Sequence, residues 1–199
     1  MGSVIIKTLF LDTATNLLVV GLLNETKSVI KTRLGKQDNS AYIIDTIDKL
    51  LTEQQVSIKD IDQLVVGVGP GSYTGIRISV MVAKTLSSTL SKPLKAISSI
   101  AFLTSGYEKK VFGYIDARNQ LGFSGMYEKA KNIEKDELRA FDTLSQEQLD
   151  HIVYLDETTA KIELNHILKN STIVPEIHNL LPNYLRQTEA ERNHDQNSK

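Results

Sequence analysis

The residues with the clearest chemical potential lie in one glycine-rich stretch, VGVGPGSYTGIRISVMVAK, at residues 66–84. Gly69, Gly71 and Gly75, together with Pro70, separate a short apolar run from a helix-like one. Backbone N–H groups at the start of a helix can hold an anion such as a phosphate. The stretch therefore allows two interpretations: a phosphate site, or a tight turn from a strand into a helix.

The stretch departs from the known phosphate-binding motifs. A P-loop has Gly-Lys after four intervening residues, but Thr74 follows Gly69 at that spacing and the next lysine is Lys84. The dinucleotide fingerprint also fails, because its third glycine is displaced and no Asp or Glu between Asp62 and Glu108 could hold a ribose. The sequence favours a tight turn, and anion contact at the helix start stays open.

The chain offers little material for a catalytic or metal centre. It has no cysteine, so a thiolate nucleophile and a disulfide framework are both excluded. No two histidines stand four residues apart and the HExxH motif is absent. GPGSYTG also lacks the spacing of the Gly-x-Ser-x-Gly nucleophile elbow around Ser72. We expect no catalytic residue, no metal site, and surface or capping roles for all four histidines: His151, His166, His178 and His194.

Composition indicates a folded protein without an autonomous nucleic-acid surface. The 199 residues are 41% hydrophobic, which suffices for a core of one domain or two small lobes. The net charge of −1 is far from the dense basic field of a nucleic-acid binder. No stretch of eighteen uninterrupted apolar residues occurs, so we expect a soluble cytoplasmic protein with no membrane partner.

The order of elements predicts an α/β protein. KTLFLDTATNLLVVGLL indicates two strands around a polar turn, and SVIKTRLG indicates a third strand. QLVVGV and LKAIS are further strands, and VFGYIDARNQLGFSGMYE repeats the strand–turn–strand pattern with an expected Asp116–Arg118 ion pair in its turn. Helices are expected within TLSQEQLD and ETTAKIELNHILKN.

Two longer helices are predicted on either side of the QLVVGV strand. The first begins near Ser40 and carries one apolar stripe: Ile43, Ile44, Ile47, Leu50 and Leu51. The second runs from about Thr74 to Leu90, and its apolar residues occupy roughly half of its circumference. One sheet face covers less than that arc. This helix is therefore either enclosed in the core or packed against a second body.

Four segments in this order and spacing resemble the TsaB (YeaZ) family of bacterial tRNA threonylcarbamoyladenosine biosynthesis proteins: LFLDTATNLLVVGLL, GVGPGSYTGIRISVMVAKTL, YIDARNQLGFSGMYE and LPNYLRQTEAER. The resemblance implies an actin/hexokinase/Hsp70-like (ribonuclease H-like) fold with two lobes, each a mixed β-sheet packed by helices. We place the lobes at residues 1–104 and 105–199, with a solvated tail from about residue 189.

The resemblance also implies a function. TsaB-like proteins are non-catalytic scaffold subunits that activate TsaD, which transfers threonylcarbamoyl to the adenosine 3′ of the anticodon in tRNAs reading A-starting codons. A TsaE-like ATPase joins the pair, and TsaB also forms homodimers. The implied partners are thus a TsaD-like subunit, a TsaE-like subunit and a second copy, with tRNA contacted only through the complex. No intrinsic cofactor is expected, and ATP or ADP would bind within the complex.

The family helices that bind TsaD correspond here to residues 41–51 and 74–90. The resemblance thus predicts a partner interface formed by Ile43, Ile47, Leu50, Tyr73, Ile76, Arg77, Val80, Met81 and Lys84.

In actin-like ATPases the turn of the first hairpin approaches the nucleotide phosphates, and its acid orients magnesium. Asp12 and Thr13 occupy that turn here, but DTATN lacks the glycine that allows close backbone approach. A weakened or vestigial nucleotide site is therefore expected at Asp12, Thr13, Gly69, Gly71 and Ser72. The alternatives to a scaffold are an actin-like ATPase or small-molecule kinase and, disfavoured by the histidine spacing, a glycoprotease-like metallopeptidase.

Overall fold

A computed structural model describes residues 6–25, 27–35 and 38–185, which form two mixed β-sheets packed by helices. This arrangement confirms the expected α/β class with two sheet-based lobes. The strands are β1 (Thr8–Asp12), β2 (Leu17–Leu23), β3 (Ser28–Leu34), β4 (Gln63–Gly67), β5 (Leu94–Ile97), β6 (Val111–Asp116), β7 (Leu121–Glu128), β8 (Lys131–Ala140), β9 (Ile152–Tyr154) and β10 (Thr172–Ile173). The helices are α1 (Asn39–Glu53), α2 (Tyr73–Leu90), α3 (Ser99–Leu103), α4 (Gln146–Asp150) and α5 (Leu164–Asn170). Three 3₁₀ turns span Ile58–Asp60, Phe141–Thr143 and Ile177–Asn179.

The first sheet has the strand order β10-β5-β4-β1-β2-β3. β1 and β2 form the predicted hairpin, β3 pairs antiparallel with β2, and β4 and β5 run parallel to β1. α1 and α2 pack against one face of this sheet, while α5 and α3 contribute to the core on the other face. Because both faces are covered, β1 and β2 are buried along their whole length, which explains their nearly continuous apolar sequences.

The second sheet has the order β8-β7-β6-β9, in which β6 and β7 form the second predicted hairpin. Its inner face packs toward the first sheet through α3. A Cβ atom on Gly113 of β6 would lie only 2.5 Å from Ile100 Cγ2 of α3, so this glycine permits the close approach. The outer face carries a separate small core of Phe112, Tyr114, Met126 and Leu144.

In the second half of the chain, one predicted helix begins later than expected and one strand was missed. The expected helix in ETTAKIELNHILKN begins only at Leu164, because the Asp156 carboxylate accepts the backbone N–H groups of Thr158 and Thr159 and holds a turn there. The edge strand β8 was not predicted, since its sequence, KNIEKDELRA, is mostly charged.

The chain returns to the first lobe after residue 163. The sequence assigned all of residues 105–199 to the second lobe, but α5 packs on β2 and β10 pairs with β5 in the first sheet. Residues 174–185, which we call the C-terminal segment, then pass along α2. The tail predicted from about residue 189 lies outside the described residues.

Candidate functional site

The glycine loop is a tight connection that packs directly on the turn of the first hairpin. Gly69 has a φ of +95°, a region that side chains rarely adopt. A Cβ atom on Gly71 would lie 2.4 Å from the carbonyl oxygen of Ala14, and the Ser72 N–H donates to the same oxygen at 2.7 Å. The two glycines therefore let the loop turn and approach the hairpin without a side chain between them.

The first turn of α2 continues this packing. Thr13 Oγ1 donates to the carbonyl of Gly75 at 2.6 Å, and a Cβ atom on Gly75 would lie 2.0 Å from the carbonyl oxygen of Thr13. Ser72 caps the helix, since its Oγ accepts the Gly75 N–H at 3.3 Å. The loop thus delivers the chain into α2 in a fixed direction.

Asp12 is fully buried and hydrogen-bonded at both carboxylate oxygens. Oδ2 accepts from Ser99 Oγ at 2.5 Å and Oδ1 accepts the Ala14 N–H at 2.9 Å. Ser99 Oγ in turn accepts the Gly69 N–H at 2.9 Å, which connects the hairpin, the glycine loop and α3. Burial raises the pKa of Asp12 to about 6, although both hydrogen bonds act in the opposite direction.

The structure brings together the five residues predicted to bind nucleotide: Asp12, Thr13, Gly69, Gly71 and Ser72. Their polar groups form hydrogen bonds with one another or with neighbouring backbone. Packing of the loop on the turn is therefore enough to explain why these residue types occur here. Nucleotide binding by this group stays a prediction.

Five residues of the predicted partner interface lie in the core instead. Ile76 and Val80 of α2 are 1% and 3% exposed, and Ile43, Ile47 and Leu50 of α1 are equally hidden. The reason is geometric: both helices direct their apolar stripes onto the same face of the first sheet, where they meet Leu9, Leu11, Leu18 and Val20. Ile44, predicted in the α1 stripe, is exposed instead.

The remaining α2 candidates form an exposed stripe. Met81 is 66% exposed and Tyr73 is 43% exposed, and Arg77 is exposed between them along the helix. Arg77 Nη1 donates to Tyr73 Oη at 3.1 Å. We call Tyr73, Arg77 and Met81 the α2 surface. An apolar and aromatic side chain flanking an arginine is the composition that protein interfaces favour.

The C-terminal segment covers part of the wide apolar arc of α2. Lys84 Nζ donates to the carbonyls of His178 and Leu180 at 2.7 and 3.0 Å. The Tyr184 ring lies 4.9 Å from the Tyr73 ring, and Val174, Ile177 and Leu180 pack against the core that α2 contributes to. The second body expected beside α2 is therefore in part the chain itself, and Lys84 belongs to that internal contact. The apolar residues of TIVPEIHNLLP were the available signal in the sequence.

Two of the histidines within the described residues make side-chain hydrogen bonds, whereas His178 is exposed. His151 Nδ1 donates to the carbonyl of Glu147 and His166 Nδ1 to that of Ser105, at 2.8 and 2.7 Å. No group of three or more His, Cys, Asp or Glu residues suited to a metal ion occurs in residues 6–25, 27–35 and 38–185. His194 lies outside those ranges.

In the second hairpin turn, Asp116 was expected to pair with the Arg118 side chain. Its Oδ1 instead accepts the backbone N–H of Arg118 at 2.8 Å, which is the local bond of an Asx turn. Among the helices of the described residues, none is long and apolar enough to cross a membrane.

The sequence of this chain is similar to those of known proteins. A family model described as TsaD: tRNA N6-adenosine threonylcarbamoyltransferase matches residues 33–174. The chain is 33% identical over 125 residues to the tRNA threonylcarbamoyladenosine biosynthesis protein TsaB of Bacillus subtilis, covering 60% of this chain and 54% of the relative. It is 30% identical over 129 residues to the TsaB protein of Escherichia coli, covering 62% of this chain and 56% of that relative. The chain thus spans about half the length of these curated relatives.

The fold has a solved counterpart. The structure titled YeaZ from Pseudomonas aeruginosa superimposes with a TM-score of 0.75 at 22% identity, covering 90% of this chain and 100% of that one. The likeness confirms the expected fold of two lobes, each a mixed β-sheet packed by helices.

Proposed function

Because this chain belongs to the TsaD family and, within it, to the TsaB (YeaZ) proteins, we propose that it is a non-catalytic scaffold subunit in tRNA N6-threonylcarbamoyladenosine synthesis. In this proposal it binds and activates a TsaD-like catalytic subunit. That subunit transfers the threonylcarbamoyl group to the adenosine 3′ of the anticodon in tRNAs reading A-starting codons. The tRNA is contacted through the complex, and a TsaE-like ATPase joins it.

The α2 surface is the observation that carries the proposal. Tyr73, Arg77 and Met81 remain exposed although the core and the C-terminal segment cover most of the apolar arc of the helix. Burying a large apolar side chain such as Met81 against a partner contributes about 1.5–3 kcal/mol. We propose this surface as the centre of the contact with the TsaD-like subunit, and the same surface would serve a homodimer.

The hairpin turn and glycine loop favour a scaffold over an actin-like ATPase. An ATPase needs an acid available to orient magnesium, whereas both oxygens of Asp12 accept hydrogen bonds from Ser99 and Ala14. Gly71 and Gly75 approach the Ala14 and Thr13 carbonyls too closely for a ligand to lie between loop and turn. We therefore propose that ATP or ADP binds within the assembled complex and not in this loop.

Reconstitution tests the proposal. The purified chain is mixed at micromolar concentration with the TsaD-like subunit of the same organism and analysed by size-exclusion chromatography. Threonylcarbamoyl transfer to tRNA is then measured with each protein alone and with both, with the TsaE-like ATPase present. We expect a joint peak, and transfer only when both proteins are present. Separate peaks, or full transfer by the TsaD-like subunit without this chain, would refute the scaffold role.

A further inference from the structure

An aromatic cluster on the second sheet has no part in the proposed function. It consists of Tyr114 on β6, Phe141 in the 3₁₀ turn after β8 and Tyr154 on β9, and we call it the aromatic triad. The Tyr114 ring centre lies 5.4 Å from that of Tyr154 and 6.1 Å from that of Phe141. The rings of Phe141 and Tyr154 lie 6.3 Å apart and are inclined by only 25°, whereas Tyr114 is perpendicular to Phe141.

The triad has one fixed member and two that face solvent. Tyr114 is buried, and its ring lies so close over Gly122 that a Cβ atom there would be 2.0 Å from Tyr114 Cζ. Tyr154 is 51% exposed and Phe141 is 41% exposed. Exposed neighbouring aromatic rings are unusual on a protein surface and commonly mark an interaction site.

Carboxylates lie beside the triad. Asp116 stands two residues after Tyr114 on β6 and so lies on the same face of the strand. Burial, then Tyr154 and Asp116, raise the pKa of Tyr114. Asp116 is exposed, and its Oδ1 accepts only a backbone N–H, that of Arg118, among the bonds identified in the described residues. Asp142, also exposed, directly follows Phe141. Two exposed carboxylates therefore neighbour members of the triad, Asp116 on the same face of β6 as Tyr114 and Asp142 next to Phe141 in the chain.

The same face of the second sheet already holds one arginine in such surroundings. The Arg139 guanidinium lies 5.6 Å from the centre of the Phe112 ring, and Phe112 shares its face of β6 with Tyr114. Arg139 Nη2 also pairs with Glu134 at 2.6 Å and Glu137 at 3.0 Å. This arrangement combines an aromatic face with carboxylates around one guanidinium.

From this arrangement we propose that the aromatic triad binds an arginine side chain carried by a basic segment of a partner protein. A guanidinium is planar and weakly hydrated, so it stacks on the exposed faces of Phe141 and Tyr154 while the Asp116 carboxylate accepts its N–H groups. A lysine ammonium gains the charge attraction but cannot stack in this way.

Charge argues against nucleic acid as the occupant. Stacked aromatic rings can also hold nucleobases, but such sites line a basic groove that follows the phosphates. Asp116 and Asp142 would repel phosphates, and residues 104–199 carry 16 acidic against 12 basic side chains. A basic protein segment is therefore the better match.

Fluorescence anisotropy with three labelled probes tests the proposal on the full chain: hexa-arginine, hexa-lysine and a short single-stranded RNA. We expect hexa-arginine to bind more tightly than hexa-lysine, and the RNA not to bind. Tyr154→Leu and Phe141→Leu keep an apolar cover but remove a ring, so each is expected to weaken hexa-arginine binding by about fivefold, whereas Tyr154→Phe retains it. Thermal unfolding verifies that each variant is folded.

Two variants that each remove one negative charge complete the test. Asp116→Asn is expected to weaken hexa-arginine binding, whereas the matched change Asp48→Asn on α1 leaves it unchanged. Wild-type affinity in Tyr154→Leu, equal affinity for hexa-lysine, or no binding of hexa-arginine would each overturn the proposal. RNA binding that Tyr154→Leu abolishes would assign the triad to base stacking instead.

Discussion

The glycine loop and the outer side of α2 differ in what their sequences suggest and what their structures provide. The loop and the hairpin turn hold the residue types of a phosphate site, yet their polar groups bond to one another around Asp12. The wide apolar arc of α2 allowed either core burial or a partner contact, and the helix buries Ile76 and Val80 but presents Tyr73, Arg77 and Met81 to solvent. The difference teaches that residue types common in phosphate sites can serve packing instead, while a helix with a wide apolar arc can keep part of that arc exposed.

The largest expected effect on stability is the difference between charged substitutions on the buried and exposed sides of α2. Ile76→Asp places a charge in the core and is expected to lower the free energy of unfolding by about 4 kcal/mol or more, or to prevent folding. Met81→Asp on the exposed side is expected to change it by less than about 0.5 kcal/mol. Urea denaturation of both variants provides the measurement. Comparable losses would mean that Met81 is part of the core.

A second substitution tests how closely the loop and turn are packed. Alanine favours helix over glycine by about 1 kcal/mol, yet Gly75→Ala is expected to destabilise the chain by about 1–3 kcal/mol because its Cβ would meet the Thr13 carbonyl. Thr85→Ala, at an exposed position of the same helix, serves as the control in the same denaturation experiment. A stabilised Gly75→Ala variant would show that the turn and α2 are not in close contact.

The buried carboxyl of Asp12 predicts a pH dependence. Its folded-state pKa of about 6 lies above the ordinary value of 3.8, so the folded chain favours the protonated form. The stability that Asp12 contributes is therefore present at low pH and is lost as the pH rises through about 6. From pH 4 to pH 7, Asp12→Asn is expected to gain about 2 kcal/mol in unfolding free energy relative to the parent chain.

Parallel denaturation curves at several pH values isolate this contribution, because other titrating groups affect both proteins alike. Ser99→Ala should raise the pKa of Asp12 further and so enlarge the change of stability with pH, because the Ser99 hydroxyl donates a hydrogen bond that favours the ionised carboxylate. A difference between the two proteins that does not vary with pH would contradict the buried, shifted state of Asp12.

The smallest expected effect concerns the C-terminal segment. Lys84→Met retains the aliphatic stem but removes the donor to the His178 and Leu180 carbonyls, and is expected to lower stability by about 1 kcal/mol. Hydrogen exchange should accelerate most at residues 174–185, because the segment loses a contact to α2. Lys95→Met, on β5, is the matched control. Unchanged exchange there would mean that Lys84 does not hold the segment.

Much of the fold was predictable because its first lobe follows local rules. The β1–β2 hairpin, the strand–loop–helix unit around Gly69 and the second hairpin at DARNQ are all confirmed. The burial of Ile76 and Val80 was harder to predict from the sequence. Periodicity shows that a helix has a wide apolar arc, but not whether the core or another part of the protein covers each side of it. The return of the chain as β10 and the C-terminal segment depends on long-range pairing that no local pattern encodes.

The candidate site likewise has a part that the sequence predicted and a part that it did not. The five residues of the loop and turn do converge, whereas the hydrogen bonds of Asp12 to Ser99 and of Lys84 to the C-terminal segment join positions 87 and 94–96 residues apart. The interface prediction grouped Ile76 with Met81, and only burial separates the two residues.

Isothermal titration calorimetry with the TsaD-like subunit tests the central claim most directly. Met81→Asp and Ile133→Asp introduce the same charge at exposed apolar positions, on α2 and on the β8 edge of the second lobe. If the α2 surface is the centre of the partner contact, Met81→Asp weakens binding at least about tenfold and Ile133→Asp leaves it unchanged. Parental affinity in a folded Met81→Asp variant would contradict the account.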